Sequence, residues 1–229
     1  MSNLKRALIT ALLACLTTIT VSAASFFNAE TDFTSSNPNG VWTYGSSVST
    51  ANLDTNFILL PNYNPTCFSG VTDCFQDPSG LPAVVHNTTN STANYLTVSQ
   101  PPVLLNLHPG TQSLAVVRWT APYTASWVFS GQFESIDSAP TGVDTLVADG
   151  SSTISGQPLA GPTGTQSTFL FSRTVAAGSS IYFAVGNAGN LSNDSTGFNV
   201  AISDIPEPGT IGMIVAGLGL TLIARRRKV

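Results

Sequence analysis

The chain has 229 residues, 42% of them hydrophobic and only 9% charged, with a formal net charge of −4. Ordinary soluble domains carry about 25% charged side chains, so the surface here must be built from Ser, Thr, Asn, Gln and Gly. Between Ala24 and Ile205 two basic side chains, Arg118 and Arg173, stand against eleven acids, a net of −9 without a single lysine. That excludes nucleic-acid binding and docking on anionic lipid, both of which need clustered Lys and Arg.

At the start, Lys5-Arg6 precede an apolar segment from Ala7 to Val21, and Val21-Ser22-Ala23 supplies the small residues at which a signal peptidase cuts. Residues 1–23 are therefore expected to be a signal peptide cleaved after Ala23. A second reading takes Leu12-Leu13-Ala14-Cys15 as a lipobox with Cys15 as the lipidated terminus. It leaves an apolar region of only eight residues, Ala7 to Ala14, and strands hydrophobic sequence beyond the cut.

From Glu30 to Asp204 the pattern has period two and almost no helical periodicity. Strands are predicted near Val41 to Tyr44, Phe57 to Leu60, Val103 to Leu107, Leu114 to Trp119, Gly142 to Val147 and Phe169 to Val175. The clearest runs from Thr124 to Glu134, with Ala125, Trp127, Phe129 and Phe133 on one face and Ser126, Ser130, Gln132 and Glu134 largely on the other. Ile181, Phe183 and Val185 repeat the alternation, as do Phe198, Val200 and Ile202. Turn clusters such as Asn37-Pro38-Asn39-Gly40, His108-Pro109-Gly110 and Asp149-Gly150 separate them. About ten short antiparallel strands with one polar face each imply two packed sheets, an all-β jelly-roll-like sandwich over residues 24–204. Thr88 to Ala93 and Ser151 to Thr168 read as polar loops or crossovers, the second long enough to hide a weak strand.

After removal of the leader the remaining cysteines are Cys67 and Cys74, in a turn-rich stretch, and an exported chain is expected to join them in a disulfide. Catalytic equipment is thin: His86 and His108 are the only histidines, no Gly-x-Ser-x-Gly occurs, and no His or Cys pair has metal-ligand spacing. His108, before Pro109-Gly110, reads as a turn stabiliser, and His86 as a surface residue at a strand end. Two acids at the right separation would suffice for glycoside hydrolysis, but here they are scattered singly. No cofactor is expected beyond a structural calcium. The loop Gly186 to Gly197 carries Asn187, Asn190, Asn193 and Asp194, oxygen ligands of the kind calcium prefers, and pairing of the chain ends would bring Glu30 or Asp32 to Asp194. The alternative is a solvated loop capped by its own Asn and Asp side chains. For sugar binding, Trp42, Tyr44 and Tyr123 stand at or near predicted turns, where an aromatic ring can stack on a pyranose.

The last 25 residues, 205–229, run Ile205-Pro206-Glu207-Pro208-Gly209, an apolar stretch from Thr210 to Ala224, then Arg225-Arg226-Arg227-Lys228. A transmembrane helix over 210–224 with a basic cytoplasmic flank follows. Fifteen residues at about 1.5 Å rise reach roughly 22 Å, short of a hydrocarbon core of about 30 Å. Proline entry, apolar run and basic stop in this order resemble the PEP-CTERM sorting signal, with Pro206, Glu207, Pro208, Arg225, Arg226 and Arg227 as its motif residues. That resemblance implies an exosortase-type membrane protease as partner. It also implies transient residence in the inner membrane, then the cell surface or extracellular matrix of a Gram-negative bacterium, with extracellular polysaccharide as a further partner. More loosely, Asn37-Pro38-Asn39-Gly40-Val41-Trp42, His108-Pro109-Gly110, Val117 to Pro122, Val185-Gly186-Asn187 and Asp194 to Gly197 are similar to a domain of secreted bacterial proteins related to carbohydrate-binding jelly rolls. The expectation is a non-catalytic surface or matrix protein that binds glycans or organises the matrix. The alternatives are a purely structural or adhesive protein and, behind it, an enzyme acting on polysaccharide.

Overall fold

The computed structural model describes residues 24–205; the expected signal peptide, the helix over 210–224 and the basic tail lie outside the described residues. In chain order the strands are β1 (Phe26–Asn28), β2 (Trp42–Ser47), β3 (Phe57–Leu59), β4 (Asn62–Asn64), β5 (Thr72–Gln76), β6 (Ala83–Asn87), β7 (Ala93–Tyr95) and β8 (Val98–Gln100). They continue with β9 (Leu105–His108), β10 (Leu114–Thr120), β11 (Ala125–Ser135), β12 (Val143–Ala148), β13 (Thr153–Leu159), β14 (Gln166–Val175), β15 (Ser180–Gly186) and β16 (Thr196–Asp204). Among the described residues one short helix, α1 (Leu53–Asn56), lies between β2 and β3. One sheet has the order β14-β11-β16-β9-β6-β5-β4 with β1 added to β16, and the other β13-β12-β15-β10-β2-β3. β7 and β8 form a separate ribbon.

Period-two alternation drives the two sheets together. On β11, Trp127, Phe129 and Phe133 are buried, while Ser130 faces water. From the opposite sheet, Trp42, Tyr44, Val117, Trp119, Ile181, Phe183 and Val185 meet them in one core. Trp119 stands edge-on to Trp127 and Phe129, with ring centroids 5.0 and 5.4 Å away. The back of the second sheet is covered as well: Val116, Tyr182, Ala184, Leu146 and Ala148 pack under Leu53 of α1 and Phe57. β10 and β15 are consequently apolar on both faces, which is why they read as near-continuous hydrophobic runs.

The elements that the sequence leaves as loops are instructive. β13, inside the polar 151–168 stretch, is an edge strand whose middle faces solvent, so it has no apolar face to alternate. β5 and β6 are short and lie between an inner face, Phe75 and Val84, and an outer face where Cys67, Cys74, Ala83 and Val85 pack together. Cys67 and Cys74 are bridged, and the bridge staples the turn before β5 onto that outer face.

Candidate functional site

The segment between β1 and β2 is held by polar side chains. Asn28 Oδ1 accepts the N–H groups of Glu30 and Thr31 at 3.0 and 3.1 Å. Asp32 Oδ2 accepts the Asn28 N–H at 2.9 Å and the Trp42 indole N–H at 3.0 Å. Asn39 donates its amide to the Asp32 carbonyl, and Asn37 bonds the Tyr44 backbone on both its N–H and its carbonyl. Fixed in this way, the segment walls an open groove of about 530 Å³, lined by Phe26, Phe27, Asp32, Thr34, Asn39 and Trp42 among others. Phe26 is 66% exposed at its lip. Phe27 packs on Trp127 (centroids 6.0 Å), and Tyr123, 38% exposed, packs on the same indole (5.1 Å).

Two of the three aromatic residues expected to stack on sugars do not present a ring. Trp42 is 1% exposed and Tyr44 0%. Tyr44 lies stacked on Phe75 and tilted against Phe33, centroids 5.4 and 4.9 Å apart. Both belong to β2, a strand buried on both faces, and a ring in van der Waals contact on both sides has no face left for a ligand. Trp42 contributes a floor and its N–H, already given to Asp32; Tyr123 remains exposed. Phe26, the ring that does face the groove, carries no signal in the sequence: it is an apolar residue just after the expected leader.

His86 is likewise not a free surface residue. It projects from β6 on the core side and stacks on Phe33 (4.9 Å), with Nδ1 2.8 Å from Asp73 Oδ1 and Nε2 3.6 Å from Glu30 Oε1. The Tyr63 hydroxyl donates to Asp73 Oδ2 at 2.7 Å. Burial lifts the Glu30 carboxyl above its ordinary value, with His86 pulling the other way. Desolvation, followed by the Asp73 bond, pushes Tyr63 up to about 12. Through these contacts the group clamps the segment after β1 to β4, β5 and β6. His108 is held by its neighbour's carbonyl, Nδ1 to Pro109 O at 2.9 Å, and burial pushes its pKa down.

Glu30, Asp32 and Asp194 are not brought together. The chain ends do pair, β1 with β16, but Ala29 N–H already meets Val200 O. Asp194 lies six residues further along, roughly 20 Å at about 3.3 Å per residue. Glu30 and Asp32 are engaged by His86 and Trp42 instead. Asn187, Asn190 and Asn193 close their own loop, donating to Gly110, Thr111 and Ala139 carbonyls or accepting the Ser192 N–H. Asp194 is 1% exposed and accepts the Thr141 hydroxyl on Oδ1 at 2.8 Å. Burial raises its pKa to about 6, opposed by the Thr141 bond and assisted by the charge of Asp137. Among the described residues no three His, Cys, Asp or Glu side chains cluster as a metal site.

A second hollow, about 420 Å³, lies on the outer face of the first sheet between Asn28, Ser130, Gln132, Thr168, Leu170 and Asn199, without an ionisable side chain.

Residues 204–228 match the PEP-CTERM protein-sorting motif, and this span includes Pro206, Glu207, Pro208 and Arg225 to Arg227. No curated protein matches the chain. Among solved structures, the chain is similar to a Stig cyclase, Fisc, from Fischerella sp. TAU: 10% identity over 78% of this chain and 91% of that one, TM-score 0.39. It is also similar to a family 35 carbohydrate-binding module from Clostridium thermocellum, with 9% identity over 79% and 98% and a TM-score of 0.31. A further similarity is to the CBM35 of Paenibacillus barcinonensis, with 12% identity over 78% and 97% and a TM-score of 0.28. Likenesses this distant say nothing about ligand or activity.

Proposed function

We propose that this chain is a non-catalytic protein of the cell surface or extracellular matrix of a Gram-negative bacterium, and that it retains an uncharged glycan in the groove beside Phe26. Its PEP-CTERM motif supports delivery by an exosortase-type protease after transient residence in the inner membrane. The observation that carries the glycan reading is the exposed Phe26 ring at the lip of a groove whose wall offers Asp32, Thr34 and Asn39. Sugar C–H faces stack on such rings, and hydroxyls are read by carboxylate, amide and hydroxyl groups held in fixed geometry. The Asp32 carboxylate is pre-oriented by the Trp42 indole and Asn28 N–H groups, and the Asn39 amide by its bond to the Asp32 backbone carbonyl, which lowers the ordering cost of binding. A net charge of −9 between Ala24 and Ile205 favours neutral over acidic polysaccharide.

Affinity electrophoresis of the full chain in gels containing neutral polysaccharides tests this. Retention by at least one neutral polymer is expected, weakened about tenfold in Phe26→Ala and unchanged in Asn199→Ala, which alters the second hollow. Retention lost in Asn199→Ala but kept in Phe26→Ala would move the site to the outer sheet face. Retention by no polymer would leave a structural or adhesive protein, and release of reducing ends would make the chain an enzyme.

A further inference from the structure

β14 lies outermost in the first sheet, paired on one side with β11 at every position from Gln166 to Val175. Alternate residues of an antiparallel strand aim their N–H and C=O groups away from the paired neighbour, so about half of the main-chain groups of this ten-residue strand face outward. Such a row is a template for another strand, and native edges are blunted by brevity, proline, lysine or a bulge. Among the described residues the other edges follow that rule. β1, β3, β4, β7 and β8 have three residues each, and β13 carries Pro158. β14 has no proline, no lysine, no acid and no break in its ladder.

Its side chains are self-complementary. Thr168, Leu170, Ser172 and Thr174 are exposed, Leu170 at 75%. On the core side Phe169 and Phe171 are half-buried, stacked on Phe183 and Phe129 with centroids 5.7 and 4.7 Å apart, and part of each ring is left uncovered at the sheet edge. Facing residues of an antiparallel pair point to the same side of the sheet and pack on each other. With a second β14 set antiparallel about a two-fold axis at Leu170, Leu170 meets Leu170, Phe169 meets Phe171, Thr168 meets Ser172 and Gln166 meets Thr174. Arg173, already paired with Asp149, meets Ser167. Apolar lies opposite apolar and polar opposite polar. Moving the axis to Phe169 or Phe171 sets Leu170 against Thr168 or Ser172, and a phenyl ring against Ser167 or Arg173.

We propose that the β14 edge is a self-association surface: two copies of this chain pair β14 against β14 about a two-fold axis at Leu170, joining their first sheets into one. A second copy fits this edge because the sequence matches itself in a single register. It also fits electrostatically, since a domain of net charge −9 between Ala24 and Ile205 repels its own kind least along a strand that carries no acid. The contact is isologous and closes on itself; the edges left over are the short or proline-bearing ones. One strand pair is smaller than a standard interface of roughly 1,200–2,000 Å², so a dissociation constant in the micromolar range is expected. A dimer carries two Phe26 grooves and would join two polysaccharide chains. That consequence rests on the glycan reading; the pairing does not, and its test contains no glycan.

Sedimentation equilibrium of the full chain in density-matched detergent tests it, with Leu170→Lys and Leu170→Glu beside the wild type. A monomer–dimer equilibrium is expected for the wild type. Each variant alone should dimerise about tenfold more weakly or worse, because the axis sets like charges face to face. Mixed in equal amounts, the two should restore a dimer, since residue 170 then meets its opposite charge. Leu170 is exposed, so both should melt within about 2 °C of the wild type. If either fails to fold, hydrogen exchange of the wild type gives a second reading: amides of residues 166–175 should slow as concentration rises, and those of residues 153–159 should not. A wild type that stays monomeric to its solubility limit overturns the proposal. So do a dimer undiminished in both variants, a mixture that fails to associate, exchange in residues 166–175 indifferent to concentration, and open-ended assembly beyond the dimer.

Discussion

Replacing Cys67 and Cys74 together by alanine isolates the one covalent constraint of the domain. The bridge joins residues seven apart. With the chain-entropy relation, closing so short a loop restricts the unfolded chain by about 2.4 kcal/mol at 25 °C. The sulfurs are also packed: Cys67 is 1% and Cys74 0% exposed, against Ala83 and Val85. Deleting a group of that size in a closed site costs roughly 0.5 kcal/mol or more each, so the total is about 3–4 kcal/mol. For a domain of this length that lowers the melting temperature by about 6–16 °C. Circular dichroism melts of the full chain in detergent, with and without dithiothreitol, measure it, and reduced wild type should fall most of the way to the double variant. Glycan retention at 25 °C should persist, because the staple lies on the outer face of β5 and β6 and Phe26 is on β1. Free thiols on both Cys67 and Cys74 in the unfolded, unreduced chain, or a double variant melting within about 2 °C of wild type, would refute this reasoning.

Other substitutions test the packing and the clamp. A Cβ at Gly131 would stand 2.5 Å from both the Asn199 carbonyl and the Phe169 ring, so Gly131→Ala should destabilise by about 1–3 kcal/mol in denaturant unfolding. Phe33→Ala empties contacts with Tyr44, Phe75 and His86; a loss of about 3–5 kcal/mol is expected, and less than 1 kcal/mol would show that the segment after β1 is not part of the core. Asp73→Ala leaves His86 Nδ1 and the Tyr63 hydroxyl without their acceptor. Absorbance titration at 295 nm should then show one tyrosine ionising below the value of about 12 that Tyr63 has in the wild type, because the bond holding the phenol proton is gone.

What was legible in the sequence follows from burial. β11 and β16 alternate cleanly because each has one face on the core, and together with the Ile181, Phe183 and Val185 repeat of β15 they give a two-sheet sandwich. β5, β6 and β13 are hidden for opposite reasons: the first two are short and buried on both sides, and the last is an exposed edge. The same physics explains the aromatics. A tryptophan or tyrosine beside a turn signal reads as exposed, yet Trp42 and Tyr44 follow that turn into a strand covered on both faces, while Phe26 has no pattern around it to mark its exposure. His86 could have been traced only through Asp73, which strand pairing sets opposite it, and Glu30, which the loop after β1 brings to it. Asp194 was visible as an acid in a glycine-rich loop, but Asp137, which lies just past the end of β11 and accepts the N–H of Ser195, is brought beside it only by the topology.

The most direct measurement is affinity electrophoresis of the full chain and its Phe26→Ala variant in a gel of the neutral polysaccharide that retains the wild type most strongly. Slowed migration of the wild type, relieved about tenfold in the variant, is the predicted result. Equal migration of the two proteins would contradict a glycan site at the Phe26 groove.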